Sequence, residues 1–282
     1  MTFDIEDWYC HDVKTDNLIW EEQEVRIYDG VEKILKALEE NDVKATFFCL
    51  GWLAEHHPAV IKQIADFGHQ VGCHSYKHEL ATKLTPEKFR ENTYRAKSAL
   101  EDVIGKPVEL YRAPAFSITE DNLFAFDTLV ELGFTTDCSV FPARRDDGGM
   151  PSYKFGEPAI LEHNGMMLKE FPIHPYEIMG KRIVYSGGGY FRLFPYYVIK
   201  LLTGKQDYVM SYLHPSDFDP DQPKMDYLPL WNRWKNGVGL NNAYAKFCKY
   251  LKDFDFSTVD GITISGGEPF LQLKELRNFI EF

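Results

Sequence analysis

Acidic residues and histidines stand at positions where a hydrolytic metal site would need them. Asp4, Glu6 and Asp7 place three carboxylates within four residues, directly after an apolar start. Mutual repulsion raises carboxylate pKa values in such a cluster unless a cation neutralises it. His74 and His78 follow an apolar segment and lie four residues apart, so both rings can reach one ion. Two histidines and a carboxylate leave positions open for water and substrate, which predicts a catalytic metal.

Three further residues could complete such a site. Arg112 could hold a carboxylate in its ionised form and fix its orientation. Asp137 follows the strand-like segment Phe134–Thr136. His214 follows the apolar segment Tyr208–Tyr212, and a histidine pKa of about 6.5 suits a general acid near neutral pH. Each feature alone has a structural alternative, such as a solvated acidic turn or a surface arginine, but together and in strand order they favour an active site.

The elements that must position these residues alternate in type. Helical spacing predicts helices over Gly30–Glu40, Pro58–Phe67, Thr85–Val103 and Glu120–Leu132. Strand patterns occupy Thr2–Ile5, Lys44–Leu50, Gln70–Cys73, Val108–Arg112 and Phe134–Thr136. Short connections between alternating elements predict an α/β fold with a mostly parallel sheet, and a closed (β/α) barrel would gather reactive residues at its strand ends. No linker divides the chain, so one domain is expected.

Composition narrows the classes of protein. The chain has 282 residues, 44% of them hydrophobic, which is enough for a substantial core. A formal net charge of -12 argues against a nucleic-acid surface. Five scattered cysteines without a CxxC pair predict a reducing compartment. With neither a secretory signal pattern nor a long apolar run in the sequence, we expect a cytoplasmic protein without a membrane span.

The order of these clusters resembles the NodB-homology polysaccharide deacetylases, carbohydrate esterase family 4. The branch encoded with exopolysaccharide and capsule genes is the most similar, through the segments Asp4–Trp8, Arg112–Ser117, Phe141-Pro142, Gly187–Arg192 and His214–Pro220. The resemblance covers roughly Thr2 to Val259. It implies a distorted (β/α) barrel of about seven strands, and a single deacetylase domain over residues 1–282 with a C-terminal extension.

The resemblance implies catalytic roles for four residues. Asp4 matches the general base that activates water, and Arg112 matches the arginine that positions this base. His214 matches the general acid that protonates the leaving amine. Asp137 belongs to the motif that tethers and tunes this histidine.

The resemblance also implies a divalent metal, with zinc as the expected ion. His74 and His78 match the two histidine ligands. The common family motif has two adjacent aspartates, but here Glu6 and one apolar residue separate Asp4 from Asp7. A continuing strand would put Asp4 and Glu6 on one face, whereas an early turn would make Asp7 reachable. We favour Asp7 as the third ligand, with Glu6 as the alternative.

Substrate contacts are expected from two segments. A backbone N–H near Ala115 or Phe116 would hold the oxyanion of the tetrahedral intermediate. In the glycine-rich segment, Tyr190 and Arg192 could face a sugar, including one that carries a phosphate or nucleotide. The alternative for this segment is a loop that caps the following helix.

The predicted function is a metal-dependent hydrolase that removes N-acetyl groups from a carbohydrate, such as an exopolysaccharide, capsule or cell-wall precursor sugar. The expected partner is this N-acetylated sugar and not a nucleic acid. One alternative is an amidohydrolase that acts on ureides or imides with the same barrel. The other is a non-catalytic barrel that binds carbohydrate. The joint presence of Asp4, His214 and the ligand histidines favours the deacetylase.

Overall fold

Strands and helices alternate along most of the chain. The structure, a computed structural model, describes residues 1–11, 18–153, 156–178, 181–226 and 229–259. The strands are β1 (Thr2–Ile5), β2 (Thr46–Cys49), β3 (Gln70–Cys73), β4 (Leu110–Tyr111), β5 (Thr136–Asp137), β6 (Ala159–His163), β7 (Met166–Glu170), β8 (Tyr176–Ile178) and β9 (Lys181–Ile183). The helices are α1 (Ile27–Glu40), α2 (Gly51–His56), α3 (Pro58–Asp66), α4 (Pro86–Ile104), α5 (Phe124–Glu131), α6 (Gly188–Leu193), α7 (Tyr196–Thr203), α8 (Leu230–Gly237) and α9 (Leu240–Asp253).

Seven of the strands form one sheet in the order β1-β2-β3-β4-β5-β7-β6. The pairs from β1 to β7 are parallel, and β6 pairs antiparallel with β7. Strands β8 and β9 form a separate antiparallel pair. The expected α/β fold of about seven strands is therefore confirmed, with one antiparallel strand at the sheet edge. Parallel pairing brings the carboxyl ends of the strands to the same edge of the sheet.

Burial explains why the first strands are continuous apolar runs. Every residue of β1 and β2 is buried, and Phe3 stacks on Phe47 with ring centroids 4.9 Å apart. Parallel sheets covered on both faces have this composition. In α1, the buried residues Val31, Ile34 and Leu38 recur at helical spacing and face the sheet side of the helix. This packing holds the strand ends in fixed positions.

The four predicted helices are present, and one of them starts later than expected. Thr85, where the predicted helix begins, is the N-cap of α4, and its Oγ1 accepts a hydrogen bond from the Lys88 N–H at 3.3 Å. The helix predicted over Glu120–Leu132 is α5, which begins at Phe124. The Asn122 side chain accepts from the Thr119 N–H at 2.6 Å, so a side-chain turn replaces the first expected turn of the helix.

The apolar segment before His214 runs beside β1 through isolated bridges and forms no strand of its own. Leu213 makes an isolated parallel bridge to Phe3, and Tyr212 makes one to Gly187. The Asp4 N–H donates to the Leu213 carbonyl oxygen at 2.9 Å. This short contact is enough to place His214 next to the carboxyl end of β1.

The second half of the chain contributes to the same sheet through β6 and β7. Within the part of the chain that the structure describes, no helix combines the length and apolar character that a membrane crossing requires. Residues 260–282, where the expected C-terminal extension falls, lie outside the described residues.

Candidate active site

The carboxyl edge of the sheet gathers most of the predicted reactive residues. Asp4 lies in β1 and Glu6 follows it by two positions, so their side chains share one face. His74 directly follows β3, and Arg112 directly follows β4. His214 completes the group, because its Nε2 lies 3.9 Å from Asp4 Oδ2 and 3.3 Å from Glu6 Oε1.

Glu6, His74 and His78 form a buried cluster whose ligand atoms all lie within 4.8 Å of one another. His74 Nδ1 lies 2.7 Å from the carbonyl oxygen of Arg112. A carbonyl cannot donate, so Nδ1 carries the proton and Nε2 keeps its lone pair for a ligand. Burial lowers the pKa of His74 to about 4, which keeps the ring neutral as metal binding requires. Two imidazoles and a carboxylate are a donor set that fits a divalent metal.

The loop after β3 turns His78 back toward Glu6. Ser75 and His78 have φ values of 66° and 58°, a left-handed conformation that is uncommon for residues other than glycine. The N–H groups of Gly51 and Trp52, at the start of α2, donate to the carbonyl oxygens of Ser75 and Tyr76 at 3.0 and 2.9 Å. Helix α2, which the sequence patterns did not predict, therefore supports the loop that carries both histidines.

Asp7 faces away from this cluster, contrary to the preference from the sequence. Its Oδ2 accepts hydrogen bonds from the N–H groups of Arg26 at 2.8 Å and Ile27 at 2.9 Å, and its Oδ1 accepts from Trp8 N–H at 2.7 Å. Because Ile27 begins α1, the Asp7 carboxylate caps a helix N-terminus, where negative charge is favourable. Glu6, the alternative, is the carboxylate that the structure brings to the histidines.

Arg112 and Asp4 form a buried ion pair. Arg112 Nη1 donates to Asp4 Oδ1 at 2.7 Å and to Thr2 Oγ1 at 2.8 Å. Its Nε donates to the Cys138 carbonyl oxygen at 3.2 Å. A fully buried guanidinium needs such partners, and together they fix the orientation of the Asp4 carboxylate. The structure thus brings these two residues together as the sequence predicted.

His214 is held by Asp217, a residue that the sequence analysis did not select. Asp217 Oδ2 lies 3.1 Å from His214 Nδ1 and accepts the His214 backbone N–H at 2.9 Å. Burial alone would lower the pKa of His214, but the bond to Asp217 and the charges of Asp217, Glu6 and Asp4 raise it to about 9. The available signal was the aspartate three residues after the histidine, the spacing of a capping box.

Arg192 completes this arrangement from α6. Its Nε lies 2.8 Å from Asp217 Oδ1, and its Nη1 donates to the carbonyl oxygens of Asn236 and Val238 at 2.6 and 3.1 Å. Burial raises the pKa of Asp217, but Arg192 and His214 outweigh it and lower that pKa to about 2. The structure contradicts the expectation that Arg192 faces a sugar, because its buried guanidinium contacts Asp217 and these carbonyl oxygens instead. Tyr190, on the same helix, is 49% exposed.

Asp137 also has a role different from the expected one. It lies buried at the end of β5, where its Oδ2 accepts the Ser139 N–H at 2.9 Å and its Oδ1 accepts the Ser139 hydroxyl at 2.6 Å. Glu170 at the end of β7 is its buried register partner, and burial raises the pKa of both carboxyl groups. Ser139 Oγ in turn accepts the Ala113 N–H at 2.8 Å. Asp137 therefore supports the backbone next to Arg112, and Asp217 is the residue that tethers the histidine.

Ala115 and Phe116 form a strained turn next to the site. Their φ values are 51° and 56°, which is unusual for residues with side chains and is typical of functional loops. The Phe116 N–H donates to the Ala113 carbonyl oxygen at 3.0 Å. Of the two expected oxyanion donors, the Ala115 N–H is therefore the remaining candidate.

Two family models match the chain. Residues 20–135 match the model described as polysaccharide deacetylase, and residues 138–263 match a domain of unknown function, DUF3473. His74, His78 and Arg112 lie in the first match, Asp4 and Glu6 precede it, and His214 lies in the second. The match to the polysaccharide deacetylase family is thus confined to residues 20–135, less than half of the chain.

Curated relatives cover only parts of the chain. A peptidoglycan-N-acetylglucosamine deacetylase from Bacillus cereus is 36% identical over 91 residues, which are 32% of this chain and 33% of the relative. The uncharacterized protein YlxY of Bacillus subtilis is 34% identical over 149 residues, which are 51% of this chain and 44% of the relative. The matches thus span between a third and a half of these relatives' lengths.

Solved structures share the fold over most of the chain. A protein described as a polysaccharide deacetylase from Mycobacterium smegmatis has a TM-score of 0.57 at 20% identity, covering 88% of this chain and 77% of that one. A peptidoglycan N-acetylglucosamine deacetylase has a TM-score of 0.51 at 19% identity, covering 95% and 88%. At these identities the likeness establishes the fold alone.

Proposed function

We propose that the protein is a metal-dependent hydrolase that removes N-acetyl groups from a carbohydrate. The observation that carries the proposal is the cluster of Glu6, His74 and His78 with Asp4 and His214 beside it. One set of neighbouring residues thereby offers a metal site, a base and an acid. A barrel that only binds carbohydrate has no use for this combination.

We propose zinc as the metal and Glu6, His74 and His78 as its ligands. Zinc favours histidine nitrogen and carboxylate oxygen, and three protein ligands leave room for water and substrate. When bound, the ion would lower the pKa of a water molecule and polarise the acetyl carbonyl group. The neutral state of His74 and the burial of all three side chains support this assignment.

The chain's own residues supply the proton transfers. Asp4, which Arg112 orients, takes a proton from the attacking water while the water oxygen forms a bond to the acetyl carbon. We assign the Ala115 N–H as the donor to the developing oxyanion, because the Phe116 N–H is already bonded to the Ala113 carbonyl oxygen. His214, which Asp217 keeps protonated, gives its Nε2 proton to the sugar nitrogen as the carbon–nitrogen bond breaks. The products are acetate and the free amino sugar.

Further observations support the proposed substrate class and cellular location. The segments shared with the exopolysaccharide branch, and the printed name of the Bacillus cereus relative, support an acetamido sugar of an exopolysaccharide, capsule or cell-wall precursor. All five cysteines are free thiols, which supports a reducing cytoplasm. The sheet draws strands from both family-matched segments, which supports a single catalytic domain.

Acetate release from metal-stripped protein, with and without added zinc, tests the function. The substrates are N-acetylated sugars, nucleotide sugars and chitooligosaccharides, with a cyclic ureide to test the rival amidohydrolase reaction. We expect zinc to restore acetate release. Zinc binding without any acetate release, or hydrolysis of the ureide alone, would reject the deacetylase.

A matched pair of amide variants tests the ligand assignment. Glu6→Gln should weaken zinc binding by at least about 100-fold, more than the loss of an outer partner of a ligand does. Asp7→Asn should keep zinc and lose about 1–2 kcal/mol of stability, because it weakens the cap of α1. Calorimetric zinc titration and thermal unfolding measure the two effects. The reverse pattern would restore Asp7 as the ligand.

A further inference from the structure

The arginines of this acidic protein divide into two groups. Among the residues that the structure describes, six of the nine arginines form ion pairs with carboxylates, namely Arg26, Arg90, Arg95, Arg112, Arg192 and Arg233. The other three, Arg144, Arg145 and Arg182, have no carboxylate partner in that described part. In a chain with a formal net charge of -12, unpaired guanidinium groups are not explained by a shortage of acids.

All three unpaired arginines converge on one loop, residues 141–153. Arg144 and Arg145 belong to this loop, and Arg182 of β9 donates to the carbonyl oxygens of Pro142 at 2.5 Å and Tyr153 at 3.2 Å. Arg144 is exposed and Arg145 is half-buried. The loop also contains Asp146 and Asp147, which offset the formal charges of Arg144 and Arg145, so Arg182 leaves one positive charge in excess at the loop.

The same loop forms a wall of the candidate active site. The Gly149 N–H donates to the Phe116 carbonyl oxygen at 2.9 Å, directly after the strained Ala115. A Cβ atom on Gly148 would overlap that carbonyl oxygen, so only glycine permits this close approach. The Arg145 N–H donates to the Gly148 carbonyl oxygen at 3.2 Å, which ties Arg145 to this close approach.

The guanidinium groups of Arg145 and of Arg112, the arginine that orients the base, both lie near the Phe116 ring. Its guanidinium carbon is 5.3 Å from the Phe116 ring centroid and 4.7 Å from that of Phe141. The guanidinium carbon of Arg112 is 5.6 Å from the same Phe116 ring. Burial raises the pKa of Tyr212 to about 12, and Arg145 opposes that rise, which places its charge close to the Tyr212 hydroxyl. Tyr212 is two residues from His214, and the rings lie 6.5 Å apart.

We propose that Arg145 binds an anionic group, a phosphate or a carboxylate, that the acetylated sugar carries. Stacking on aromatic rings holds the planar guanidinium in place, and its fork of donors matches the oxygens of either group. Arg192, whose guanidinium is buried against Asp217, cannot take this role. The inference rests on the proposed function and narrows its substrate class to charged sugars.

Calorimetric binding to zinc-loaded protein tests the proposal without requiring turnover. The probes are N-acetylglucosamine 1-phosphate, N-acetylmuramic acid and neutral N-acetylglucosamine. The variant Arg145→Met keeps the apolar stem over the rings and removes the charge. The control is Arg95→Met, because the Arg95 guanidinium also stacks on a ring, 3.7 Å from the Tyr76 centroid, but pairs with Glu55.

We expect the wild type to bind one charged probe more tightly than the neutral sugar. Arg145→Met should weaken the affinity for that probe by about 10- to 100-fold. Arg95→Met should keep the preference, and Arg145→Lys should lie between. The responding probe identifies the group as phosphate or carboxylate. If Arg145→Met keeps the wild-type preference, or if the wild type prefers neither charged probe, the proposal is overturned. Charge-dependent binding without acetate release would instead reject the proposed function and keep this inference.

Discussion

Charged residues in this site contact one another in series, so that a residue can affect the substrate without touching it. Arg192 contacts Asp217, Asp217 holds His214, and His214 faces the carboxylates of Asp4 and Glu6. Each link fixes the protonation or orientation of the next. Asp217 and Arg192 are thus positioning residues, which act on the substrate only through the imidazole.

The first prediction concerns the pH dependence that Asp217 imposes. A histidine acid works while it is protonated, so its rate contribution is lost as pH rises through its pKa of about 9. In Asp217→Asn, burial dominates and lowers the pKa of His214. The alkaline limb of kcat should therefore move down by at least about one pH unit. A pH profile of kcat at saturating zinc measures this shift.

The control for Asp217→Asn is Asp226→Asn, which removes an exposed carboxylate paired with Arg233. Its alkaline limb should match that of the wild type. A profile of Asp217→Asn that loses amplitude but keeps the wild-type limb would show that Asp217 sets geometry alone.

At the scale of elements, the end of β5 supports the end of β4. Ser139 links the two strands, because its hydroxyl donates to Asp137 and accepts from the Ala113 N–H. Arg112 is tied to the same turn through the Cys138 carbonyl oxygen. The position of the catalytic base thus depends on a strand that contributes no reacting group.

The second prediction is that Ser139→Ala lowers both stability and turnover. The change leaves the buried Ala113 N–H without its acceptor, which costs about 1–3 kcal/mol of unfolding free energy. We expect kcat to fall by about 10-fold as the turn after β4 loosens. Ser152→Ala is the matched control, since it removes an exposed hydroxyl that also donates to a carboxylate, that of Glu120 at 2.6 Å. Wild-type kcat in a folded Ser139→Ala protein would argue against this supporting role.

The positions of the strand ends were predictable from the sequence. The paths that the chain and its side chains take after those ends were not. His74 and Arg112 follow strands whose apolar patterns are clear, so their places at the sheet edge could be predicted. Asp7 turns away from the cluster because α1 begins at Ile27, 20 residues further on, and needs a cap. Such long-range contacts leave no trace in local spacing. The same holds for His214, which reaches the site through a single bridge beside β1.

At the scale of the whole molecule, the alternation of strand and helix patterns in the sequence predicted the fold class. It did not predict that both halves of the chain contribute strands to one sheet. The hairpin β6–β7 joins β5 and completes the sheet. This junction buries Glu170 next to Asp137, and neither carboxyl group forms an ion pair with a residue that the structure describes. The Val140 N–H donates to Glu170 Oε1 at 3.1 Å. The pair therefore keeps a proton to higher pH than a free glutamate does.

The third prediction is that this proton makes the stability of the whole protein depend on pH. The folded-state pKa of Glu170 lies well above its ordinary value of 4.5, because burial and the Asp137 charge disfavour the carboxylate. Between the unfolded and folded pKa values the native state holds more protons, so stability falls as pH rises, by up to about 1.4 kcal/mol per pH unit.

Glu170→Gln mimics the protonated acid, since its amide can donate to Asp137 and its oxygen can accept from Val140. Its stability should match the wild type near pH 4.5 and exceed it increasingly at higher pH, as measured by unfolding at a series of pH values. Glu162→Gln, an exposed change on β6 of the same hairpin, should follow the wild type throughout. A constant difference between Glu170→Gln and the wild type would mean that Glu170 is already ionised in the folded protein.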